Sequence, residues 1–242
     1  MTHQAGAGDA LPVLHGEQAG PVEGVILLHG LARTRFSMWP LARFLARQEF
    51  VVVNPGYPSR RHAIEILAHQ TLPRAVEALR RQGVDRIHGV SHSMGGLLLR
   101  AYLAEGVPPD WGRIVMLCPP NQGSELADRL RHWPLFRLIF GPAGCQLGIA
   151  AEDLPQRLGP APCPVGILTG NRSGPLAARF FPGPNDGKVA VARARLAGMR
   201  DFLVVHHGHS LIMHHGRVQE QVAHFLRFGR FDRPDSEQAA RG

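Results

Sequence analysis

Short apolar runs recur along this chain, each closed by a turn signal, and their rhythm limits the folds open to it. Gly24-Val-Ile-Leu-Leu28, Phe50-Val-Val-Val53, Ile87 to Val90, Ile114-Val-Met-Leu117, Val165-Gly-Ile-Leu168 and Phe202-Leu-Val-Val205 are continuous in apolarity and do not alternate with polar residues. That pattern belongs to strands covered on both faces. Helical patterns separate them. Met38 to Gln48 opens behind Ser37 as a candidate cap, Ile64 to Arg81 carries an expected kink at Pro73, Met94 to Ala104 follows Ser93 directly, and Val218 to Phe228 closes the series. Strand alternating with helix predicts an α/β chain: a mostly parallel sheet of about six strands flanked by helices.

With 242 residues, 44% of them hydrophobic, the chain has material for one substantial core and too little for two catalytic domains. Residues 1–20 and 229–242 lack apolar periodicity and are expected to be poorly ordered, the second as a polar tail, which leaves 21–228 as the folded unit. Within it, Ser124 to Leu158 breaks the strand and helix rhythm with two helix-like pieces around Gly141-Pro-Ala-Gly144. This stretch, 124–160, is expected to be a short helical lid inserted over a site.

The formal charge of +8 points weakly to acidic surfaces, but the basic residues are scattered and Lys188 is the only lysine. No clustered footprint for nucleic acid is present, so none is expected as a partner. Cys118, Cys145 and Cys163 are odd in number and lack CxxC spacing, which predicts neither a disulfide framework nor a zinc site and fits a reducing compartment. The first twenty residues lack the features of a signal peptide, and no stretch reaches the roughly eighteen apolar residues of a membrane span. A cytoplasmic protein with no integral membrane segment is expected, with transient lipid contact left open. No Gly-Lys-Ser/Thr and no helix-opening GxGxxG follows a strand, so no nucleotide or other cofactor is expected.

Val90-Ser-His-Ser-Met-Gly-Gly96 joins a predicted strand to a predicted helix, the context that holds a serine hydroxyl above a sheet. Ser93 is the candidate nucleophile; Gly95 meets the Gly-x-Ser-x-Gly pattern, and Ser91 stands where its first glycine is usual. A serine hydroxyl is a weak nucleophile that needs an adjacent base and an oriented acid. Asp186, in the turn sequence Pro184-Asn-Asp-Gly-Lys188, is the candidate acid, and His209, in the loop after the last strand, is the candidate base. His206, His207, His214 and His215 compete with His209, but the first two more naturally finish the strand and the last two begin the closing helix. The histidines lack HExxH or Cys/His spacing, so no metal is expected. The backbone N–H groups of Leu31, after His29-Gly30, and Met94, after Ser93, are the candidate donors to an oxyanion.

Across residues 22 to 228 these motifs resemble the α/β-hydrolase superfamily, and within it small bacterial lipase- or esterase-like serine hydrolases. Leu27-Leu-His-Gly-Leu31, Ser91-His-Ser-Met-Gly-Gly96, Asn185-Asp-Gly-Lys-Val189 and Gly208-His-Ser210 look like that family's oxyanion strand, nucleophile elbow, acid turn and base loop. Pro119 to Asp128 is similar to a loop that borders the acyl pocket, with Pro-Asn standing where Pro-His is often found. The resemblance implies the α/β-hydrolase fold and cleavage of a small-molecule acyl ester without a cofactor. Thioesterase or acyltransferase chemistry with the same residues remains open, as does a non-catalytic homologue that binds a ligand or protein.

Further residues are candidate substrate contacts: His29, His92, Asn121, Trp133 and Phe136. Trp133, Leu135, Phe136, Leu138, Ile139 and Phe140 of the insertion are expected to offer an apolar acyl wall. Arg131 and Arg137 are candidates for attracting an anionic acyl carrier. Acyl length and oligomeric state carry no recognisable signal.

Overall fold

Strands without a polar face need cover on both sides, and the chain supplies it with helices on each face of one sheet. The structure, a computed structural model, describes residues 13–14, 21–175 and 179–233. Its sheet consists of β1 (Val13–Leu14), β2 (Glu23–Leu28), β3 (Val51–Val53), β4 (Arg86–His92), β5 (Trp111–Leu117), β6 (Val165–Gly170) and β7 (Asp201–Val205). The spatial order is β1-β3-β2-β4-β5-β6-β7, and every neighbouring pair is parallel except β1 with β3. The six predicted strands are thus joined by β1, an edge strand too short to carry a pattern.

The pleat sorts alternate residues to opposite faces. On β2, Ile26 and Leu28 pack with α2 (Ile64–Arg80) and α3 (Gly95–Leu103), while Val25 and Leu27 pack with α1 (Trp39–Arg47) and α8 (Gly216–Phe228). On β5, Ile114 and Met116 join the first core, Val115 and Leu117 the second. The helices α4 (Glu125–Leu130), α5 (Pro134–Cys145) and α6 (Leu154–Arg157) fall within the stretch 124–160, and the short α7 (Val191–Ala194) precedes β7.

Several local expectations change. Ser37 does not cap α1: a 3-10 turn over Arg35–Met38 precedes the helix, Met38 is the capping residue, and Ser37 Oγ donates to Thr34 O at 2.8 Å. Pro73 lies inside α2 without ending it. His209–His214 forms a 3-10 turn, and α8 begins at Gly216 with His215 at its cap. The folded unit also runs past 228. Phe231 is buried against Phe225, and Arg233 donates two hydrogen bonds to the Asp201 carboxylate at the start of β7. The apolar and paired side chains there account for the ordering that a polar composition hides. The rest of the expected poor order at 1–20 and 229–242 lies outside the described residues, apart from β1.

The order of the sheet reverses at β2, whose neighbours β3 and β4 lead away in opposite directions. In open α/β sheets a crevice forms beyond the carboxyl ends of the strands at such a point. The chain leaving β2 and the start of α3 meet there at very short range. A Cβ at Gly95 would lie 2.7 Å from Leu28 O and 2.9 Å from His29 O, both backbone atoms that cannot yield without moving the strand. Gly95→Ala is therefore expected to destabilise the protein by about 1–3 kcal/mol. Gly216→Ala, where a Cβ meets nothing within 4 Å, is expected to stay within about 0.5 kcal/mol in the same chemical denaturation experiment.

Candidate active site

The crevice is built from four chain segments that leave the ends of β2, β4, β6 and β7. Ser93, between β4 and α3, has φ of 54°, a left-handed conformation that side chains seldom adopt. The turn is held by Ser93 N–H donating to Leu117 O at 2.8 Å and Ser93 O accepting from Gly96 N–H at 3.0 Å. The β2 loop passes directly against it: a Cβ at Gly30 would lie 3.1 Å from Ser93 Cβ and 3.0 Å from His92 Nδ1. Leu31, the residue whose N–H is a candidate oxyanion donor, follows at once, and Met94 opens α3 on the other side. Ala32, at φ of 55°, turns the loop, with its N–H donating to Ser59 Oγ at 3.1 Å.

The turn after β6 presents Asp186. Asn185 Oδ1 accepts from Gly187 N–H at 3.0 Å, and Asp186 Oδ1 accepts from Lys188 N–H at 2.9 Å and Val189 N–H at 2.8 Å. Two backbone donors fix the carboxylate. Its second oxygen, Oδ2, accepts from His209 Nδ1 at 2.8 Å, which leaves His209 Nε2 as the acceptor facing Ser93 Oγ at 3.0 Å. The structure thus brings Ser93, His209 and Asp186 into one hydrogen-bonded chain, with Asp186 and His209 buried and Ser93 partly exposed. His206, His207, His214 and His215 lie outside it: His206 pairs with Asn171, and His207 stacks on His215 with ring centroids 3.6 Å apart.

The peptide of His209 is clamped on both sides. Its N–H donates to Asp186 O at 2.9 Å, and its carbonyl accepts from His92 Nε2 at 2.8 Å. Burial, then the proximity of His209, push His92 well below the ordinary histidine range, so it stays neutral and serves as a donor. Burial by itself would raise the Asp186 carboxyl. The charge of His209 and hydrogen bonds from His209, Cys118 and Val189 outweigh burial and hold it below the usual carboxylate range. Cys118, in a left-handed turn after β5 at φ of 51°, is a contributor that the sequence pattern gave no reason to name. Burial and the adjacent Asp186 push its thiol up, so it stays protonated. Cys118, Asp186 and His209 bring possible ligand atoms within 4.8 Å of one another, but a protonated thiol and an imidazole already engaged at both nitrogens fit a hydrogen-bond chain better than a metal site.

The other candidate contacts divide. His92 and Phe136 line the cleft with Ser93. His29 is fully buried and stacked on Tyr57 at 3.9 Å; its Nδ1 donates to Gly30 O at 2.9 Å, so it shapes the loop and does not face the cleft. Asn121 is buried too. Its carbonyl oxygens accept from Arg100, and its Nδ2 donates to Ala194 O at 2.9 Å, which ties the loop after β5 to α3 and α7. Trp133 is 63% exposed and points away. In α5 the i, i+4 pair Phe136 and Phe140 faces the cleft, whereas Leu135, Leu138 and Ile139 turn outward, so the apolar wall is narrower than the composition implied. Pro120, Ser124 and Leu126 of the loop after β5 also border it. Arg131 is engaged by Asp128 and Asp153 and Arg137 is exposed on the outer face, so neither borders the cleft.

No protein-family model and no curated protein matches the sequence. Solved structures do match in fold. The mature form of the Bacillus licheniformis lipase BlEst2 superposes with a TM-score of 0.66 at 20% identity, covering 90% of this chain and 95% of that one. A chain from the study of the metagenome-derived lipolytic enzymes LipS and LipT gives 0.59 at 18% identity, covering 90% and 99%. An esterase from Thermogutta terrifontis gives 0.57 at 16% identity, covering 91% and 93%. This is the α/β-hydrolase fold. Among the described residues no helix is long and apolar enough to cross a membrane.

The buried histidines give the site a pH signature. Burial lowers His29 from 6.5 to about 4, against hydrogen bonds with Gly30 and Tyr57 that raise it. A base depressed in the folded state stabilises fully above its unfolded value and loses that contribution as pH falls toward the folded value. Between pH 6.5 and about 4 the loss is expected to reach roughly 3 kcal/mol. Urea denaturation across that range should show the decline in the wild type and a shallower one in His29→Gln.

Proposed function

We propose that the protein is a serine hydrolase that cleaves a carboxylic ester through an acyl-enzyme intermediate. Ser93 is the nucleophile, His209 the general base and acid, and Asp186 the residue that orients the imidazole and balances its charge. The observation that carries the reading is the continuous chain from Ser93 Oγ to His209 Nε2 at 3.0 Å and from His209 Nδ1 to Asp186 Oδ2 at 2.8 Å. The fold neighbours named as lipases and an esterase lend it weight.

As Ser93 Oγ bonds to the ester carbonyl carbon, His209 Nε2 takes the hydroxyl proton, and the carbonyl oxygen gains the negative charge. The N–H groups of Leu31 and Met94 are the donors for that oxygen, the second backed by the positive end of α3. Collapse breaks the bond to the alcohol, which leaves with the proton from His209. Water then adds with its proton passing to His209, the acyl bond to Ser93 Oγ breaks as His209 returns that proton to Oγ, and the carboxylic acid departs. Asp186 stays ionised throughout, consistent with the groups that hold its carboxyl down.

Leu126, Leu130, Phe136, Phe140 and Val189 offer the acyl chain an apolar wall. The cleft measures about 170 Å³, below the roughly 300–1,000 Å³ of drug-sized ligand sites, and so favours short acyl groups. In a series of aryl esters of rising chain length, with a long-chain thioester alongside, turnover is expected to peak at short chains and to disappear in Ser93→Ala. Asp186→Asn should fold normally and lose about 10⁴ in kcat, because the imidazole loses its orienting acceptor. A peak on the thioester would favour thioesterase chemistry, and near-normal kcat in Asp186→Asn would remove Asp186 from its role.

A further inference from the structure

Two cations border the cleft, and among the described residues neither has a carboxylate in ion-pair reach. Arg33 and Lys188 both line it together with Ser93 and His209. Some cations elsewhere are paired, among them Arg80 with Asp110, Arg131 with Asp153, Arg193 with Glu125 and Arg233 with Asp201, but what sets Arg33 and Lys188 apart is that both border the cleft beside Ser93. Among the described residues no carboxylate oxygen lies within the 4.0 Å of an ion pair from Arg33 or Lys188. The nearest negative influence on Lys188 is Asp186, whose carboxylate is already engaged by His209 and two backbone donors.

Both cations are anchored by the loops that carry the reacting groups. Arg33 Nη2 donates to Ser210 O at 3.4 Å, one residue beyond His209. The Lys188 backbone is held at both ends, its N–H on Asp186 Oδ1 and its carbonyl accepting from Ser124 Oγ at 2.7 Å at the cap of α4. Burial and then the charge of Arg33 push the Lys188 ammonium below the usual lysine range. Like charges brought together at a partly dry site repel, and an anion between them reverses the sign of that interaction.

The chemistry says which part of a substrate reaches them. A leaving group must lie at His209 Nε2 to receive its proton, so the rest of the alcohol extends past His209. A second cleft of about 660 Å³ shares Lys188 and His209 with the first; Arg172, Asp186, His207, Ser210 and His215 also line it, and Arg33, which lines only the first, reaches it through its bond to Ser210 O. The apolar residues that suit an acyl chain line the first cleft. We propose that Arg33 and Lys188 form an anion clamp on the leaving-group side, so that the preferred substrate is a short-chain ester of an alcohol bearing a phosphate or carboxylate. The clamp rests on the reading of Ser93 as nucleophile and adds the substrate class to it.

The test compares para-carboxyphenyl butyrate with para-carbamoylphenyl butyrate, alike in shape and different in charge, and titrates inorganic phosphate into the protein by calorimetry. Wild type is expected to prefer the anionic ester by about tenfold or more in kcat/KM, mainly through KM, and to lose the preference as salt rises. Arg33→Met and Lys188→Met should each lower the ratio between the two esters, Lys188→Arg should keep it, and the double Met variant should no longer bind phosphate. Melting curves confirm that each variant folds. Equal, Ser93-dependent hydrolysis of both esters, with a ratio unchanged in the variants, would overturn the clamp and leave the nucleophile in place. Absence of Ser93-dependent turnover on either ester would overturn the nucleophile reading and the substrate class with it. Phosphate bound equally by wild type and the double variant would locate the anion elsewhere and also overturn the clamp.

Discussion

The left-handed turn at Ser93 is the constraint on which the rest of the site depends. Such a backbone costs on the order of 1–3 kcal/mol for a residue with a side chain and persists only where its surroundings over-determine it. Here they do. The turn is bonded to β5 through Leu117, α3 is pressed against the carbonyls at the end of β2 through Gly95, and the following loop lies on Ser93 itself through Gly30. Each of these contacts requires the parallel pairing of β2, β4 and β5, so the sheet's register and the aim of one hydroxyl are a single problem. A relaxed turn would draw Oγ away from His209 while leaving most of the core intact.

A second tier holds the partners of that serine by their backbones. His209 is gripped by the Asp186 carbonyl at its N–H and by His92 at its own carbonyl, while Asp186 is gripped by two backbone N–H groups with the Cys118 thiol close by. Buried polar groups are stable only when bonded, and each bond here also orients a member of the Ser93, His209 and Asp186 chain. His29 with Tyr57, and Arg100 with Asn121, do the same for the two flanking loops. Much of the buried polar surface among the described residues lies around Ser93, His209 and Asp186, between two apolar cores.

Much of this was legible because continuous apolar runs and an ordered Ser, Asp, His spacing are local signals. The six longer strands appear where the runs stand, and Ser93, Asp186 and His209 emerge from three separate loops at one edge. What stayed hidden depends on tertiary placement. Val13–Leu14 is two residues long and gains its identity only by pairing with Val52 and Val53. Asn121 sits in a loop that borders the cleft yet turns inward to Arg100, a buried cation that no pattern announces. Trp133 and Phe136 are three residues apart in one apolar stretch, yet Trp133, at the cap of α5, is exposed while Phe136 lines the cleft. The +8 charge was visible as a sum, but not that two of its cations, Arg33 and Lys188, would border the cleft.

The central claim is that the hydroxyl of Ser93, and no other group, becomes covalently acylated. The direct measurement is mass spectrometry of the protein after reaction with a fluorophosphonate, with the adduct mapped to a residue. One adduct per chain on the peptide containing Ser93, dependent on an intact His209, is the predicted result. An adduct on another serine, or none on protein shown to be folded, would contradict the account.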